Sequence, residues 1–252
     1  MYETLFLGNK KIKLEKVDST NTYLKELLTK DRNSIEGLVV IADYQQSGRG
    51  QRGNSWQSEP FKNITFSLLL KPNIAIGDQF MVSKMVSLGV VDFLEAEGVE
   101  GITIKWPNDI YVQNAKIAGI LIENVLKGNS LDSVVVGIGL NINQIVFDDE
   151  LMNVTSLKLI QSNDFDLDQI LNKLLFFIEQ RYLMLKNLNF FDLNKDYLEQ
   201  LFRLNKLAKY EIKNHIIEGE IVGVTKLGKL QINIDGLIQK FDLKEVKFVI
   251  NN

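Results

Sequence analysis

The 252-residue chain contains no cysteine and only one histidine. The lack of cysteine excludes disulfide bonds, iron–sulfur clusters held by cysteine, and any mechanism with a cysteine nucleophile. The single histidine, His215, leaves almost no material for a histidine-rich zinc site or a Ser-His-Asp triad. Nucleophilic catalysis of these kinds is therefore not expected, and we interpret His215 as a structural residue.

Long apolar runs and an excess of positive charge are also lacking. No stretch of about 18 uninterrupted apolar residues occurs, and the N-terminal residues do not resemble a secretory signal. The net charge of −3 argues against broad nucleic-acid binding, which requires a basic surface to neutralise phosphates. We therefore expect a cytoplasmic protein that binds neither a membrane nor a nucleic acid.

Arginine is scarce, and its distribution is uneven. Two of the five arginines, Arg49 and Arg52, lie close together in a glycine-rich stretch, which suggests a task that needs the planar guanidinium group. All three prolines and both tryptophans lie between residues 56 and 107. This concentration of rigid residues and arginines predicts a functional site in this part of the chain.

The hydrophobic pattern predicts an α+β fold. Buried or alternating apolar runs predict strands at residues 37–42, 63–70, 101–105, 110–113, 116–125 and 133–138. Apolar residues at helical spacing predict helices at residues 18–28, 78–97, 167–185 and 193–204. After residue 204 only short strands are indicated, enough for one small barrel. We predict a mixed β-sheet domain flanked by helices over residues 1–204, and a small all-β barrel domain over residues 205–252.

The first candidate for chemistry is the loop SGRGQRGN at residues 47–54. Its glycines allow the backbone to approach a ligand and to point several N–H groups at phosphate oxygens, while its two arginines add positive charge. The alternatives are an ordinary surface loop and an RNA-binding Arg-Gly tract, and the acidic composition counts against RNA. Alone, this motif does not decide between them.

Three further motifs follow along the chain. In KWPND at residues 105–109, Asn108 could bind a base or ribose and Asp109 a magnesium ion, or the pair could simply form a turn. In KIAGILIE at residues 116–123, Gly119 leaves room for a flat ligand and Lys116 could meet negative charge, unless the lysine only faces solvent. GIGLNIN at residues 137–143 could equally be a plain exit from a strand.

Together, and in this order, the four motifs resemble the biotin–protein ligase family. The pattern is GRGxRGxxW, KWPND, KxAGILxE and GxGLNxN, preceded by DSTN at residues 18–21 and Gln45-Gln46, and the match runs from about residue 17 to 143. The small β domain at the end has the size and place of the family's C-terminal domain. No helix-turn-helix segment is predicted before the sheet domain, so the chain resembles the short, non-repressor form.

The resemblance implies an ATP-dependent ligase. Such an enzyme activates biotin as biotinoyl-5′-AMP and transfers it to a specific lysine of a biotin carboxyl carrier protein, with ATP and biotin as substrates and Mg²⁺ as the metal. The implied partner is the carrier domain of a carboxylase, and the implied assembly is a monomer or a homodimer. No enzyme nucleophile is required, in keeping with the composition.

The resemblance also assigns roles to residues. Lys116 and Arg49 are the expected catalytic residues, and Asp109 is the expected magnesium ligand. The residues expected to bind biotin are Ser19, Thr20, Asn21, Gln46, Gly48, Arg49, Gly50, Lys116 and Gly119. The residues expected to bind ATP are Arg52, Asn54, Trp56, Asn108, Asp109 and Asn141.

Two points remain open at the level of sequence. Many family members carry arginine where this chain has Gln51, so adenylate retention is expected to depend more heavily on Arg49 and Lys116.

The nearest alternative function is lipoate–protein ligation, which the polar Ser-Thr-Asn and Gln-Gln segments disfavour because a dithiolane ring needs few polar partners. A non-catalytic binding module or biotin sensor is the second alternative, and an octanoyl transferase is excluded by the absence of cysteine.

Overall fold

The computed structural model describes residues 2–30, 34–127, 130–148, 151 and 153–250. A mixed seven-stranded sheet occupies the first part of the chain, with strand order β1-β2-β3-β7-β6-β5-β4. Only the β1/β2 pair is parallel, and the other neighbours are antiparallel. The strands are β1 (Lys11–Val17), β2 (Val39–Gln45), β3 (Ile64–Leu70), β4 (Ile102–Lys105), β5 (Asp109–Val112), β6 (Ala115–Lys127) and β7 (Ser130–Leu140).

Helices cover both faces of this sheet. They are α1 (Thr20–Lys30), α2 (Phe80–Ala96), α3 (Leu157–Gln161), α4 (Leu167–Lys186) and α5 (Phe190–Glu199). Because side chains alternate along a strand, Val134 and Val136 of β7 belong to the large core beneath α2 and α4, whereas Val135 packs with Leu24 of α1 on the opposite face. No helix in the described part of the chain is long and apolar enough to span a membrane.

A second, wholly antiparallel sheet follows, with strand order β11-β10-β9-β8-β12. Its strands are β8 (Leu207–Ile212), β9 (His215–Val224), β10 (Leu230–Ile234), β11 (Leu237–Phe241) and β12 (Val246–Phe248). Two of its hairpins turn on pairs of residues with positive φ: Lys213 and Asn214 (51° and 65°), and Asp235 and Gly236 (51° and 84°). Positive φ at both turn positions matches the right-handed twist of the strands. The predicted α+β class with a small second β unit is confirmed.

The two sheets are joined near the KWPND segment. The Ile104 N–H donates to Gln200 O (2.7 Å), the Phe202 N–H donates to Ile104 O (2.9 Å), and the Trp106 indole donates to Gly228 O (2.9 Å). The helix predicted over residues 193–204 is therefore wrong at its C-terminal end. After Glu199 the backbone runs along β4 and uses its polar groups there instead of continuing the helix.

A buried lysine links α2 to α5. Lys84 is only 2% exposed, its Nζ donates to Asn194 Oδ1 at 2.5 Å, and it lies 5.5 Å from the ring centroids of both Phe80 and Tyr197. Burial lowers the pKa of Lys84 to about 8. The side chain therefore carries a positive charge at neutral pH in a place that disfavours it.

We expect Lys84→Met to be more stable than the wild type at pH 7. The difference between the two proteins in free energy of unfolding should narrow between pH 8 and 10.5. Across that window the unfolded wild type binds more protons than the native state, so its free energy of unfolding rises with pH. The narrowing should amount to roughly 2–3 kcal/mol. Urea titrations of both proteins at several pH values measure it, since other groups cancel in the difference. A gap that does not change with pH would contradict this account of Lys84.

Candidate functional site

The main cavity has a volume of about 640 Å³ and lies between the α1 face of the central sheet and the second sheet. The segment at residues 49–56 forms one side, and the KWPND turn, with its cis Trp106–Pro107 bond, forms another. Val246 and Phe248 of β12, together with Leu243 from the connection between β11 and β12, complete the wall. Elements from both parts of the chain therefore build a single cavity.

The floor of the main cavity consists of three glycines on adjacent strands, which we call the floor glycines: Gly119, Gly137 and Gly139. Gly119 and Gly139 face each other in the β6/β7 ladder. A Cβ atom at Gly139 would collide with the indole ring of Trp56, and one at Gly137 would collide with the amide of Asn21. Glycine is required here because the strands are approached closely by other side chains.

A hydrogen-bonded polar network lies at one end of this floor. The Thr20 N–H donates to Gln45 Oε1 at 2.8 Å, and the Thr20 hydroxyl lies 3.1 Å from the same oxygen. The Ser67 hydroxyl lies 2.7 Å from Thr20 Oγ1 and 2.5 Å from Asn21 Oδ1. Asn21 Nδ2 donates to Glu123 Oε2 at 2.9 Å. We call this end of the cavity, formed by Thr20, Asn21 and Gln45, the ring pocket.

The ring pocket is rich in acceptors and short of protons. Three oxygen–oxygen contacts link these side chains, and because Gln45 Oε1 and Asn21 Oδ1 are acceptors only, the hydroxyls of Thr20 and Ser67 supply the only two protons for them. One of the three contacts therefore lacks a proton. Gln45 Nε2 donates to no described residue, so one amide donor also remains available. A ligand that brings N–H donors together with one carbonyl acceptor would satisfy these groups.

The glycine–arginine loop forms a tight hairpin that places Trp56 over the floor. The Gly50 N–H donates to Asn54 O (2.7 Å) and the Trp56 N–H donates to Gly48 O (2.9 Å). The indole Nε1 of Trp56 is buried without a hydrogen-bond partner among the described residues. Arg49 lines the main cavity with a half-exposed side chain, and its Nη1 lies 4.0 Å from Glu123 Oε1.

Charged groups face each other across the KWPND turn. Lys116 Nζ lies 2.7 Å from Asp109 Oδ1 and 5.7 Å from the Trp56 ring centroid. The backbone of Lys116 is fixed because its N–H donates to Asn153 O (2.7 Å) and its carbonyl accepts from the Thr155 N–H (2.9 Å). This arrangement holds an ammonium group inside the main cavity beside Gly119.

Lys105 adds a second ammonium group to the same wall. Its Nζ donates to the Tyr111 hydroxyl at 3.0 Å and lies 5.3 Å from the Phe248 ring centroid. Burial lowers the pKa of Lys105, the carboxylate of Asp109 opposes this shift, and the charge of Lys116 adds to it. The cavity thus concentrates positive charge, which suits a ligand with several negative charges.

Comparison with known proteins identifies the family. Residues 14–141, just over half of the chain, match the model of the biotin/lipoate A/B protein ligase family. The chain belongs to this family. The matched segment contains the helix α1, the glycine–arginine loop, KWPND and the floor glycines, so it includes most of the residues that line the main cavity.

Individual ligases with similar sequences support the assignment of this chain to the biotin/lipoate A/B protein ligase family. The bifunctional ligase/repressor BirA of Bacillus spizizenii is 33% identical over 183 residues, which is 71% of this chain and 56% of that protein. The chain thus spans just over half the length of that relative. The biotin–[acetyl-CoA-carboxylase] ligase of Mycobacterium tuberculosis is 27% identical over 233 residues, covering 88% of this chain and 84% of that protein.

A solved structure supports the same conclusion about the fold. The structure of biotin protein ligase from Aquifex aeolicus in complex with biotin and ATP superposes with a TM-score of 0.79 at 29% identity. It covers 96% of this chain and 100% of that one. The second sheet of this family member is therefore part of the shared architecture.

The structure brings most of the predicted site residues to one cavity. Those that line it are Ser19, Thr20, Asn21, Arg49, Gly50, Asn54, Trp56, Asn108, Asp109, Lys116 and Gly119. The side chain of Arg52 lies outside the described part of the structure. Three others, Gln46, Gly48 and Asn141, do not line the cavity.

Each of these three has an identifiable place. Gln46 is exposed just beyond the end of β2, and Gln45 lies on the cavity side instead, because side chains alternate along a strand. Gly48 accepts the Trp56 N–H and so shapes the loop. The Asn141 amide donates to Thr155 O (3.0 Å), on the segment that also fixes the backbone of Lys116.

Several residues of this site were not predicted from the sequence, among them four polar side chains: Gln45, Ser67, Lys105 and Glu123. Gln45 stood beside the predicted Gln46, and the period of two along β2 could have separated them. Lys105 and Glu123 lay within quoted motifs but carried no assigned role. Ser67 gave no signal, because a serine within an apolar strand is ordinary, and only the register of β3 against β7 brings it beside Asn21.

Proposed function

We propose that this protein is a biotin–protein ligase that activates biotin with ATP and transfers it to a lysine of a carrier protein. The observation that carries this proposal is the ring pocket, whose acceptor-rich network lacks protons and keeps one amide donor available. The ureido ring of biotin offers two N–H donors and one carbonyl acceptor. That is the complement of the groups contributed by Thr20, Asn21 and Gln45.

The same pocket disfavours lipoate. A dithiolane ring has no N–H donor and only weak acceptors, so it would leave the Gln45 amide donor and one of the three oxygen–oxygen contacts of the ring pocket unsatisfied. Each buried polar group left in this way costs about 1–3 kcal/mol. Sites built to pair with a polar substrate reject analogues that lack the pairing groups far more strongly than apolar pockets reject a changed methylene.

The charged wall supports adenylate chemistry. In the first step an oxygen of the biotin carboxylate bonds to the α-phosphorus of ATP, and the bond to the bridging oxygen breaks to release pyrophosphate. Lys116 and Arg49 offset the repulsion between the two anions, and Asp109 orients the Lys116 ammonium. In the second step the amine of the carrier lysine attacks the acyl carbon, and AMP leaves.

The residues present also fit a magnesium ion bound with ATP. Asp109 is the acidic side chain that lines the main cavity among the described residues, and it faces the wall where the cations gather. Mg²⁺ is commonly held by one or two carboxylates together with substrate phosphates and water. Asp109 would hold the ion, which would shield the charge of the phosphates.

The carrier and the domain division belong to the same proposal. The Mycobacterium tuberculosis relative is a biotin–[acetyl-CoA-carboxylase] ligase, which supports a carboxylase carrier domain as the partner. We place the division into two domains after residue 204, because the second sheet begins at Leu207. Both domains are needed for the reaction in this view, since both contribute walls to the main cavity.

Pyrophosphate release tests the proposal. We expect purified protein to release pyrophosphate from ATP when biotin is added, and at least 100-fold more slowly with lipoate at the same concentration, as the loss of two or more buried hydrogen bonds predicts. A faster reaction with lipoate would reassign the substrate. No release with either acid would contradict the proposed enzyme.

A further inference from the structure

We infer that Glu123 is a positioning residue that fixes the amide of Asn21 in one orientation and thereby sets which donors and acceptors the ring pocket presents. This inference rests on the proposed function, because its consequence is measured on biotin. Glu123 itself does not line the main cavity. It acts through Asn21, which does.

The contacts of Asn21 define a single orientation of its amide. Nδ2 lies 2.9 Å from Glu123 Oε2 and 3.4 Å from Leu121 O, both of which only accept hydrogen bonds. Oδ1 lies 2.5 Å from the Ser67 hydroxyl and points over Gly137. A rotation of the amide by half a turn would place its oxygen against a carboxylate and a carbonyl.

Without the Glu123 carboxylate this preference would be weak. The Ser67 hydroxyl can donate to an amide oxygen or accept from an amide nitrogen, so it tolerates either orientation. The remaining contact, to Leu121 O, is the long one at 3.4 Å. The 2.9 Å bond to Glu123 is therefore the interaction that fixes Asn21, and with it the acceptor character of the ring pocket.

Glu123 is held as an ionised acceptor by its own neighbours. Lys25 Nζ of α1 lies 2.6 Å from Oε1, and Arg49 Nη1 lies 4.0 Å from the same oxygen. Partial burial acts to raise the pKa of Glu123, but the hydrogen bonds from Lys25 and Asn21 outweigh it and the pKa is lowered. A carboxylate is thus present at neutral pH to accept from Asn21.

The inference predicts a specific loss in Glu123→Gln. A glutamine can satisfy either face of the Asn21 amide, so the reversed orientation becomes available and places a donor where the ring of biotin also presents donors. We expect the dissociation constant for biotin to rise about 10-fold or more, as for the loss of a hydrogen bond to a charged group. The KM for ATP should change less than about twofold, because Asn21 does not face the charged wall.

A reciprocal swap separates positioning from general damage. Asn21→Asp alone places two carboxylates side by side and should weaken biotin binding at least as much. In the double variant Asn21→Asp with Glu123→Gln, the glutamine amide donates to the aspartate, which again presents only acceptors to Ser67. We expect the affinity of the double variant for biotin to return to within about threefold of the wild type. If the two substitutions acted independently, their losses of affinity would multiply and the double variant would bind far more weakly.

Calorimetric titration of biotin into the full chain measures these constants, with pyrophosphate release giving the KM for ATP. Glu15→Gln, an exposed site on β1, is the matched control for a carboxylate-to-amide change. The inference would be overturned if Glu123→Gln left the affinity for biotin unchanged, or if it raised the KM for ATP by the same factor as the dissociation constant for biotin. It would also be overturned if the double variant did not recover affinity for biotin. Absence of biotin-dependent pyrophosphate release in the wild type would instead contradict the proposed function.

Discussion

Replacement of Lys116 by alanine should slow biotin-dependent pyrophosphate release at least 100-fold. The structure holds this ammonium in the main cavity through the 2.7 Å pair with Asp109 and the two backbone hydrogen bonds that fix the Lys116 backbone. Loss of one well-placed donor for developing charge typically reduces turnover by about 10²–10³-fold. The initial rate of pyrophosphate release at saturating ATP and biotin measures the effect.

A matched lysine provides the control. Lys195 on α5 is exposed, and its ion pair with Glu199 is a long one, 3.9 Å. Lys195→Ala should keep the rate within about twofold of the wild type, because an exposed pair of this kind contributes little. A Lys116→Ala protein that folds normally and keeps more than about a third of the wild-type rate would contradict the role assigned to Lys116.

The largest effect on stability is expected at Glu179, far from the cavity. This side chain of α4 is fully buried, and its carboxylate accepts the N–H groups of Leu5 (2.6 Å), Phe6 (2.9 Å) and Leu7 (2.8 Å). Glu179→Ala would leave these three backbone donors without partners and open a cavity next to α4. We expect the free energy of unfolding to fall by about 3–5 kcal/mol.

Urea unfolding followed by circular dichroism measures this loss. Glu199→Ala, which removes an exposed carboxylate, is the control and should change stability by less than about 0.5 kcal/mol. A loss below about 1 kcal/mol in Glu179→Ala would show that the N-terminal segment is not anchored through this carboxylate.

Much of the fold follows from periodicity in the sequence. The strand predicted at residues 63–70 is β3 within one residue, and the helix predicted at 167–185 is α4 within one residue. All seven residues of β3 are buried, on both faces of the sheet, and α4 is a long helix with apolar residues at helical spacing. β1 was not predicted, although its Ile12 and Leu14 alternate with lysines and a glutamate in the period-two pattern of a half-buried strand at the edge of the sheet.

The site residues could be predicted from the sequence where they belong to one contiguous motif. The glycine–arginine loop, KWPND and the small residues of β6 are contiguous, so their clustering could be anticipated from the resemblance. The ring pocket was harder to predict because it depends on register. Ser67 and Glu123 meet Asn21 only because β3, β7 and β6 pair in a particular alignment, which no local pattern encodes.

Covalent transfer to a carrier tests the central claim most directly. Purified protein would be incubated with ATP, Mg²⁺, biotin and a carboxyl carrier domain, and the carrier would be analysed by intact-mass and peptide mass spectrometry. The account predicts the mass of one biotinyl group on a single lysine, dependent on both ATP and biotin and formed at least about 100-fold more slowly with Lys116→Ala. A carrier that stays unmodified with the wild-type protein, or that is modified only when lipoate replaces biotin, would contradict it.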